Sequence, residues 1–432
     1  MTERIETVLE RGEEKGVLSL PPAMKSAELP DWQGARWVGT LDLERLGHHD
    51  RVELQNSAGY GRARLLVREG AAVRGFIDVE TPGGVLERTV LDGALAELPA
   101  PIVNARRFPM PPITVIVCTR NRASQLRGAL EALCHLDYPD FDVLVVDNAP
   151  RTTETLDMVR TDFRDPRITL VQEPVPGLSH ARNTGLRMAR GGIVAFTDDD
   201  VVVDNSWLRE IAAGFAQTPD AACVTGLVPA GEVRSRTQEY FNERVNWSKV
   251  VVPAVYSLAD PPIDLPKFPF CPGAFGTGAN FALDREVANS LGGFDTALGA
   301  GTRTGGGEDI DMFTRVILAG YSLVVQPSAI AWHRHRDGLE DLRTQASGYG
   351  RGLGAWLTKI LLNPRTAQIA LRRAPAVAWS ALRSGPAARP SGAANDEWDA
   401  VLADVLRLEL LSVVLGPIHY LRERLSAPRT PQ

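Results

Sequence analysis

Short apolar runs alternate with amphipathic stretches along the chain from residue 113 onward. Each run is short enough for a strand that is buried on both faces. The stretches between them repeat apolar residues at helical spacing, as Leu126, Leu130 and Leu133 do. The alternation predicts an α/β fold with a doubly wound, mostly parallel sheet. The apolar runs are residues 113–118, 143–146, 168–171, 193–196 and 222–224.

Polar residues follow three of these predicted strands, at 119–122, 147–148 and 198–200. In open α/β sheets, ligands bind beyond the carboxyl ends of the strands. We therefore expect the three loops to share one rim of the sheet and to line a binding site.

The remaining regions have other patterns. Residues 1–105 mix charged residues with short alternating runs broken by Gly and Pro, which predicts a small strand-rich domain of unknown role. Prolines between residues 101 and 112 mark a linker to the α/β domain, expected over residues 112–338. The pattern of residues 339–432 predicts a helical C-terminal region.

Composition narrows the class of protein. Lys and Arg total 47 against 53 Asp and Glu, so a net charge of −6 excludes a general attraction to nucleic acid. Four scattered cysteines lack the spacing of a zinc site and suit a reducing cytoplasm. Residues 1–16 lack the apolar core of a signal peptide, and no apolar run reaches the roughly 20 residues that span a bilayer. We therefore expect a cytoplasmic protein.

Three consecutive carboxylates follow the apolar run 193–196. Side chains alternate along an extended chain, so we expect Asp198 and Asp200 on one side and Asp199 on the other. Neighbouring like charges are stabilised by a cation among them, and a divalent ion that bridges to a phosphate is a common solution. The alternative is a solvated acidic turn.

Six motifs follow one another between residues 112 and 336. They are Val-Cys-Thr-Arg-Asn-Arg at 117–122, Val-Asp-Asn at 146–148, Gly-Leu-Ser-His-Ala-Arg-Asn at 177–183, Thr-Asp-Asp-Asp at 197–200, Gly-Gly-Phe-Asp at 292–295 and Gly-Glu-Asp at 307–309. In order and spacing they resemble a family 2 glycosyltransferase with the GT-A fold. The resemblance is more specific than any single motif, and it leaves the first hundred and the last ninety or so residues uncovered.

The resemblance implies that the rim loops bind a nucleotide-sugar donor. Asp147 would accept hydrogen bonds from the nucleoside, which suits a carboxylate at a strand end. Arg182, expected in the first turn of its helix, would face the donor phosphates. The residues alone leave two alternatives open, a helix-capping role for Asp147 and a surface salt bridge for Arg182. The implied donor-binding residues are Thr119, Arg120, Asn121, Arg122, Asp147, Asn148, Arg182, Asp198 and Asp199.

The resemblance also implies a divalent cation, Mn²⁺ or Mg²⁺, held by Asp198 and Asp200. The ion would bridge the diphosphate and stabilise the negative charge on the leaving nucleotide. His333 or His335 would complete the metal shell. Both histidines could instead be polar residues at a strand end.

Asp309 matches the acidic position that the family uses as its catalytic base. In-line displacement at the anomeric carbon needs a carboxylate opposite the leaving diphosphate, and it inverts the configuration. Glu308 and Arg315 are then expected to bind the acceptor. The alternative is that Glu308 and Asp309 only occupy a helix N-terminus. Val316 follows Arg315 where processive synthases of the family have a Gln-x-x-Arg-Trp motif, so we expect a single transfer per encounter.

The C-terminal region carries a local excess of positive charge. Residues 342–395 contain eight positive charges and no Asp or Glu. Arginines among aromatic and aliphatic residues suit a helix on an anionic leaflet, which predicts peripheral membrane docking and a lipid-linked acceptor. The alternative is a helical subdomain packed on the catalytic core or at a dimer interface. The apolar residues concerned are Trp356, Leu357, Ile360, Leu361 and Trp379.

Two rival functions remain. A sugar nucleotidyltransferase would need a Gly-rich loop after the first strand, where this chain has residues 119–122. An inactive nucleotide- or carbohydrate-binding module would bind the donor without turnover. The predicted enzyme would transfer a sugar to a sugar or lipid-linked acceptor, for cell-envelope or exopolysaccharide glycan. This reaction requires Asp309 to lie near Asp198 and Asp200. The sequence does not decide whether the protein forms a homo-oligomer.

Overall fold

The computed structural model describes residues 16–26, 28–102, 108–383 and 396–426, which belong to two compact units. The first unit comprises Met1–Arg107, Pro229–Val251 and Trp332–Asp337. The second comprises Phe108–Val228, Val252–Ala331 and Gly338–Gln432. The units differ from the linear division expected above, because two short excursions from the α/β region belong to the first unit.

The described residues form the following elements in chain order. The strands are β1 (Val17–Leu20), β2 (Arg36–Asp42), β3 (Arg51–Leu54), β4 (Arg62–Glu69), β5 (Ala72–Glu80), β6 (Val85–Glu87), β7 (Ile113–Thr119), β8 (Phe141–Asn148), β9 (Ile168–Glu173), β10 (Ile193–Asp198), β11 (Val201–Val203), β12 (Ala221–Leu227), β13 (Ala254–Tyr256), β14 (Asn280–Asp284) and β15 (Ser322–His333). The helices are α1 (Leu43–Leu46), α2 (Arg88–Leu95), α3 (Ala123–Cys134), α4 (Glu154–Asp162), α5 (Leu178–Met188), α6 (Trp207–Phe215), α7 (Arg236–Arg244), α8 (Arg285–Ser290), α9 (Glu308–Leu318), α10 (Leu339–Leu362), α11 (Pro364–Arg383) and α12 (Asp396–Ser426).

The first unit contains two three-stranded sheets, ordered β1-β3-β6 and β2-β4-β5. Alternate residues of β5 are buried, so one face of that strand packs on the core, as its alternating sequence predicts. Trp37 is buried at the centre of this unit and donates from Nε1 to the Gln55 carbonyl oxygen at 2.8 Å. Helix α7 also belongs to this unit, and it begins with a capping box of Ser235 and Gln238 that satisfies free backbone amides at its start.

The second unit is built on a sheet ordered β11-β15-β12-β14-β10-β7-β8-β9, with β13 paired to β15. Strands β10, β7, β8 and β9 run parallel to one another, whereas β14 runs antiparallel between β10 and β12. Strands buried on both faces need apolar side chains throughout, which explains the runs of Val and Ile. The predicted α/β fold with a mostly parallel GT-A type sheet and a helical C-terminal region is confirmed.

The register of the parallel strands brings the three rim loops side by side. Asp198 of β10 pairs with Cys118 of β7. The next residue of β7, Thr119, pairs with Asp147 of β8. The sequence motifs at these strand ends are therefore adjacent in space, as the alternation of elements predicts.

The C-terminal helices α10 and α12 pack closely on each other. A Cβ atom at Gly354 of α10 would overlap the Val413 carbonyl oxygen of α12, and one at Gly350 would overlap the Glu409 carbonyl oxygen. Glycine lets the two helix backbones approach this closely because it has no side chain. Within the described ranges, no helix is long and apolar enough to cross a membrane.

Candidate functional site

Arg122 joins two of the three consecutive acids at the end of β10. Its Nη1 lies 2.6 Å from Asp199 Oδ1, and its Nη2 lies 2.8 Å from Asp200 Oδ2. Asp199 is buried, and it also accepts a hydrogen bond from Thr119 Oγ1 at 2.7 Å. Burial raises the pKa of Asp199 to about 7, against the lowering effect of Arg122. The acid triplet is therefore a structured, partly paired group and not a solvated turn.

The strict alternation expected for the three acids stops at Asp198. Strand β10 ends at that residue, and Asp199 and Asp200 form a turn. Because a turn does not alternate its side chains as a strand does, Arg122 can contact both Asp199 and Asp200. The expected separation of Asp199 from Asp200 is wrong for this reason.

Asp147, at the end of β8, is a buried carboxylate whose two oxygens have no hydrogen-bond partner. Burial raises its pKa to about 6. The absence of hydrogen bonds excludes the helix-capping alternative. Leaving a buried acceptor unsatisfied costs about 1–3 kcal/mol, so such a group is poised to accept hydrogen bonds from a ligand.

Two further residues expected at the donor shape the loops around Asp147. Asn148 donates from Nδ2 to the Val175 carbonyl oxygen at 2.7 Å and accepts from the Gly177 amide at 2.9 Å. Asn121, at a positive φ of 54°, accepts from the Arg151 amide at 2.9 Å. These contacts support a role for Asn148 and Asn121 in positioning the rim loops.

Arg182 is buried between the acid triplet and α9. Its Nη1 donates to Glu308 Oε1 at 2.9 Å, and its Nη2 donates to the Gly278 carbonyl oxygen at 2.9 Å. Asp198 Oδ1 lies 3.7 Å from Nη2. The guanidinium also faces three rings, those of Phe196, Phe281 and Phe294, with centroids 5.3 to 6.0 Å away.

This environment corrects two expectations for Arg182. Helix α5 begins at Leu178, so Arg182 is its fifth residue and lies beyond the first turn. Its side chain is only 3% exposed, which excludes the surface salt bridge, and it pairs with Glu308. Binding of the donor phosphates by Arg182 stays a prediction. Arg182 therefore links the acid triplet to the start of α9 by a buried ion pair.

Asp309 lies at the same site as Asp198. Its Oδ2 accepts a hydrogen bond from the Gly278 amide at 2.7 Å. Arg182 binds the carbonyl oxygen of the same glycine, and a Cβ atom at Gly278 would lie 2.9 Å from Arg182 Nη2 and 3.1 Å from Asp309 Oδ2. Asp309 thus connects to Asp198 through one glycine and one guanidinium. The spatial requirement for the enzymatic hypothesis is met for this pair.

The two residues expected at the acceptor have other partners. Glu308 is buried against Arg182; burial and then Asp309 raise its pKa to about 7, against the lowering effect of Arg182. Arg315 donates to Asp311 Oδ2 at 2.8 Å, and to the carbonyl oxygens of Leu291 at 2.9 Å and Gly293 at 2.7 Å. All of these contacts are internal, and acceptor binding by Glu308 and Arg315 stays a prediction.

Comparison with known proteins agrees with this geometry. Residues 114–292 match the model of the family described as glycosyl transferase family 2. This segment belongs to glycosyl transferase family 2. The family 2 segment holds Asp147, Arg182 and the acid triplet, and the resemblance inferred from the motifs is confirmed.

Three proteins with known names or structures are similar to this chain. The chain is 26% identical over 303 residues to the pre-mycofactocin glycosyltransferase of Mycobacterium tuberculosis, over 69% of this chain and 58% of that protein. It is 31% identical over 256 residues to the O-antigen biosynthesis protein RfbC of Myxococcus xanthus, over 53% of this chain and 19% of that protein. A solved mannosyltransferase from Pyrobaculum calidifontis, in complex with GDP-Man and Mn²⁺, matches with 20% identity and a TM-score of 0.43, over 74% of this chain and 90% of that one. The chain spans about 58% of the length of the first relative.

The residues of the family 2 segment fit a divalent cation at Asp198 and Asp200. Both are carboxylates at a strand end, with side chains 35% and 20% exposed. Among the residues with described coordinates, no group of three or more His, Cys, Asp or Glu is arranged to hold a metal. Mg²⁺ is usually bound by one or two carboxylates together with substrate phosphates, and Asp198 and Asp200 are two such carboxylates.

The two histidines proposed as metal ligands lie outside the family 2 segment, in the first unit. His333 Nδ1 lies 2.9 Å from His335 Nδ1. His335 is 2% exposed, and its ring packs edge-on against that of Phe241, with the two ring centroids 4.6 Å apart. A metal role for either histidine stays a prediction.

Sequence reasoning missed contacts that the C-terminal helices make with the catalytic region. Lys359 Nζ lies 2.8 Å from both Asp295 Oδ2 and Asp311 Oδ1. Desolvation and then Asp309 raise the pKa of Tyr349, which belongs to α10. The glycines at 348, 350, 352 and 354 were a usable signal, because glycine at every second position of a helix indicates close backbone packing on two sides.

Proposed function

We propose that this protein is an inverting glycosyltransferase that moves one sugar from a nucleotide-sugar donor to an acceptor hydroxyl. The observation that carries the proposal is the placement of Asp309 beside Arg182 and Asp198, at the rim where the family 2 strands end. An in-line displacement needs a base and a leaving-group site on opposite sides of one carbon. The base and the acid triplet belong to one site in this chain.

Asp309 acts in this proposal as the general base. Its carboxylate accepts the proton of the attacking hydroxyl as that oxygen bonds to the anomeric carbon and the nucleoside diphosphate leaves with the bonding electrons. The Gly278 amide, 2.7 Å from Oδ2, fixes the orientation of the carboxylate. Asp309 lies in the first turn of α9, at the end of the helix that attracts negative charge.

The other residues position the donor and balance its charge. Asp147 supplies the unsatisfied carboxylate that accepts hydrogen bonds from the nucleoside. Arg122 orients Asp199 and Asp200. Asp198 and Asp200 would hold Mn²⁺ or Mg²⁺, and when bound the cation would neutralise the diphosphate and stabilise the leaving group.

Donor turnover with an Asp309→Asn variant tests the base assignment. Wild type should consume a nucleotide sugar from a panel of UDP- and GDP-sugars, and Asp309→Asn should reduce the rate at least about a hundredfold, the range of general-base contributions. Nucleotide binding by calorimetry should persist, because the variant keeps the donor loops. Asp157→Asn, a change of an exposed acid on α4, is the matched control.

Each other outcome decides against part of the proposal. Unchanged turnover in Asp309→Asn would refute the base assignment. Nucleotide binding without turnover in wild type would favour the inactive binding module. Retention of the anomeric configuration in the product, measured by proton NMR, would refute inversion.

The C-terminal helices support a second part of the proposal, docking on an anionic membrane surface that presents a lipid-linked acceptor. Residues 410–421 of α12 contain no Asp, Glu, Lys or Arg, and Leu410, Leu411 and Val414 are 64–72% exposed. Helix α11 carries exposed arginines at 365, 372 and 373 and no acid. Exposed apolar residues and exposed arginines on the C-terminal helices are the residue types that bind the interface of an anionic leaflet.

The structure changes which residues take part in this docking. Trp356 and Ile360 are 1% and 7% exposed, so they belong to the protein core and cannot enter a membrane. The side chain of Trp379 lies outside the described residues. A flotation assay with phosphatidylglycerol vesicles tests the surface: wild type should float at low salt, and a Leu410→Asp/Val414→Asp variant should not. A wild type that stays with the soluble fraction would refute docking, and a dimer lost in the same variant would assign the surface to self-association.

A further inference from the structure

Helix α10 packs directly on the glycine-rich loop that leads into Asp309. A Cβ atom at Gly305 would lie 3.1 Å from the Gly348 Cα atom. A Cβ atom at Gly307 would lie 2.8 Å from the Gly352 carbonyl oxygen. Gly307 is also the residue before α9, at a positive φ of 94°. The helix turn formed by residues 348–352 therefore borders the loop next to the proposed base.

An ion-pair cluster fixes α10 in this position. Lys359, less than three turns further along α10, bridges Asp295 and Asp311 at 2.8 Å to each. Asp295 also accepts a hydrogen bond from Tyr420 of α12 at 3.1 Å, and Arg424 lies 3.6 Å from it. Lys359 lowers the pKa of Asp295 although burial raises it, so the carboxylate stays ionised and paired. The pairing attaches both C-terminal helices to the elements that carry Asp309.

Tyr349 lies in the bordering turn of α10, between Gly348 and Gly350. The residue is 40% exposed although its neighbours Gly348, Gly350 and Gly352 are buried. Desolvation, and then Asp309, Asp198 and Glu308, raise the pKa of the Tyr349 hydroxyl. The carboxylates that act on it are those of the candidate active site. The partly exposed Tyr349 therefore belongs to the turn of α10 that borders the loop before the proposed base.

We propose that α10 forms the acceptor wall of the active site and that Tyr349 contacts the sugar ring that carries the attacking hydroxyl. The inference rests on the proposed function, since it assigns the acceptor subsite of the same centre. A tyrosine offers an apolar ring and one hydroxyl, and a sugar ring has apolar C–H faces and hydroxyls at its edge. Gln345, one turn before Tyr349, donates a hydrogen bond from Nε2 to the Tyr349 hydroxyl at 3.3 Å and so orients the phenol.

Acceptor kinetics of the full-length chain test this assignment. Transfer from the active donor to a panel of p-nitrophenyl glycosides is measured for wild type, Tyr349→Ala and Tyr349→Phe, together with hydrolysis of the donor in the absence of glycoside. Tyr349→Ala should raise KM for the accepted glycoside at least about tenfold, equivalent to about 1.4 kcal/mol. Donor hydrolysis and nucleotide Kd should stay within about twofold. Tyr349→Phe keeps the ring and should give a smaller increase.

Leu362→Ala is the matched control, because Leu362 is 60% exposed on the same helix, roughly 20 Å from Tyr349 along its axis. Its glycoside KM should equal that of wild type. Equal losses of hydrolysis and transfer in Tyr349→Ala would overturn the assignment, because they indicate a donor or folding defect. Donor hydrolysis by wild type without transfer to any glycoside would overturn the assignment of a sugar as the acceptor. Wild type without donor turnover would instead refute the proposed function.

Discussion

Replacing Asp147 with Asn should stabilise the free protein in a pH-dependent way. The carboxylate is buried without a hydrogen-bond partner, and burial raises its pKa from 3.8 to about 6. Ionisation is then harder in the folded than in the unfolded chain. With each pKa unit worth 1.36 kcal/mol, the ionised carboxylate lowers the free energy of unfolding by about 3 kcal/mol at pH 8.

The sign of the pH dependence follows from the raised pKa. Between pH 3.8 and about 6 the folded state binds more protons than the unfolded state, so stability falls as the pH rises through this window and levels off above it. At pH 5 the destabilisation is about 1.6 kcal/mol, because the folded group is still mostly protonated. The amide that replaces the carboxylate in the variant carries no charge at any of these pH values. The stability advantage of Asp147→Asn should therefore grow by about 1.4 kcal/mol between pH 5 and pH 8.

Urea unfolding at pH 5, 6, 7 and 8 measures this difference. Asp157→Asn, which removes an exposed acid from α4, controls for the loss of one negative charge. A constant difference between Asp147→Asn and wild type across the four pH values would refute the reasoning. The same variant should bind the nucleotide at least about tenfold more weakly, because an amide presents one acceptor oxygen where the carboxylate presents two.

Three other perturbations follow from the site. Arg182→Ala should lower the free energy of unfolding by about 3–5 kcal/mol because it leaves Glu308 buried without its partner, and the double change with Glu308→Leu should recover most of this loss; equal losses in both variants by urea unfolding would contradict the pairing. Lys359→Met should lower the free energy of unfolding by about 3 kcal/mol or more at pH 7. The loss should become smaller once the pH falls below 3.8, because Asp295 is then protonated as the pH passes through its lowered pKa. The control Lys249→Met, at a more exposed ion pair, should change the free energy of unfolding by less than about 1 kcal/mol. Removal of divalent ions with EDTA should abolish donor turnover and Mn²⁺ or Mg²⁺ should restore it; full turnover in EDTA would refute the metal site.

The α/β core could be predicted from the sequence because its strands are buried on both faces. Such strands must be apolar along their whole length, so residues 113–118 and 193–196 stand out from their surroundings. The observed strands extend these runs by one or two polar residues, to Thr119 and Asp198. Those added residues include candidate functional residues, because a polar side chain is tolerated where a strand leaves the core.

Individual side-chain contacts could not be predicted from the sequence. Arg182 and Glu308 are 126 residues apart in the chain, on helices α5 and α9, and they meet only in the folded protein. Arg315 was expected at the acceptor, but its guanidinium binds one carboxylate and two carbonyl oxygens near the preceding loop. No local pattern encodes such contacts, because each joins residues that meet only after the sheet has assembled.

The sequence by itself determined the order of strands and helices, the polar residues at the strand ends and the family to which residues 114–292 belong. These properties depend on local composition and spacing, and one chain displays them directly. Only the tertiary structure decided that Asp309 lies beside Arg182 and Asp198, that Asp147 is left without a partner, and that α10 borders the site with Tyr349. The physical reason is that hydrogen bonding, burial and charge pairing depend on distances between atoms. Folding sets those distances for residues that are far apart in the chain.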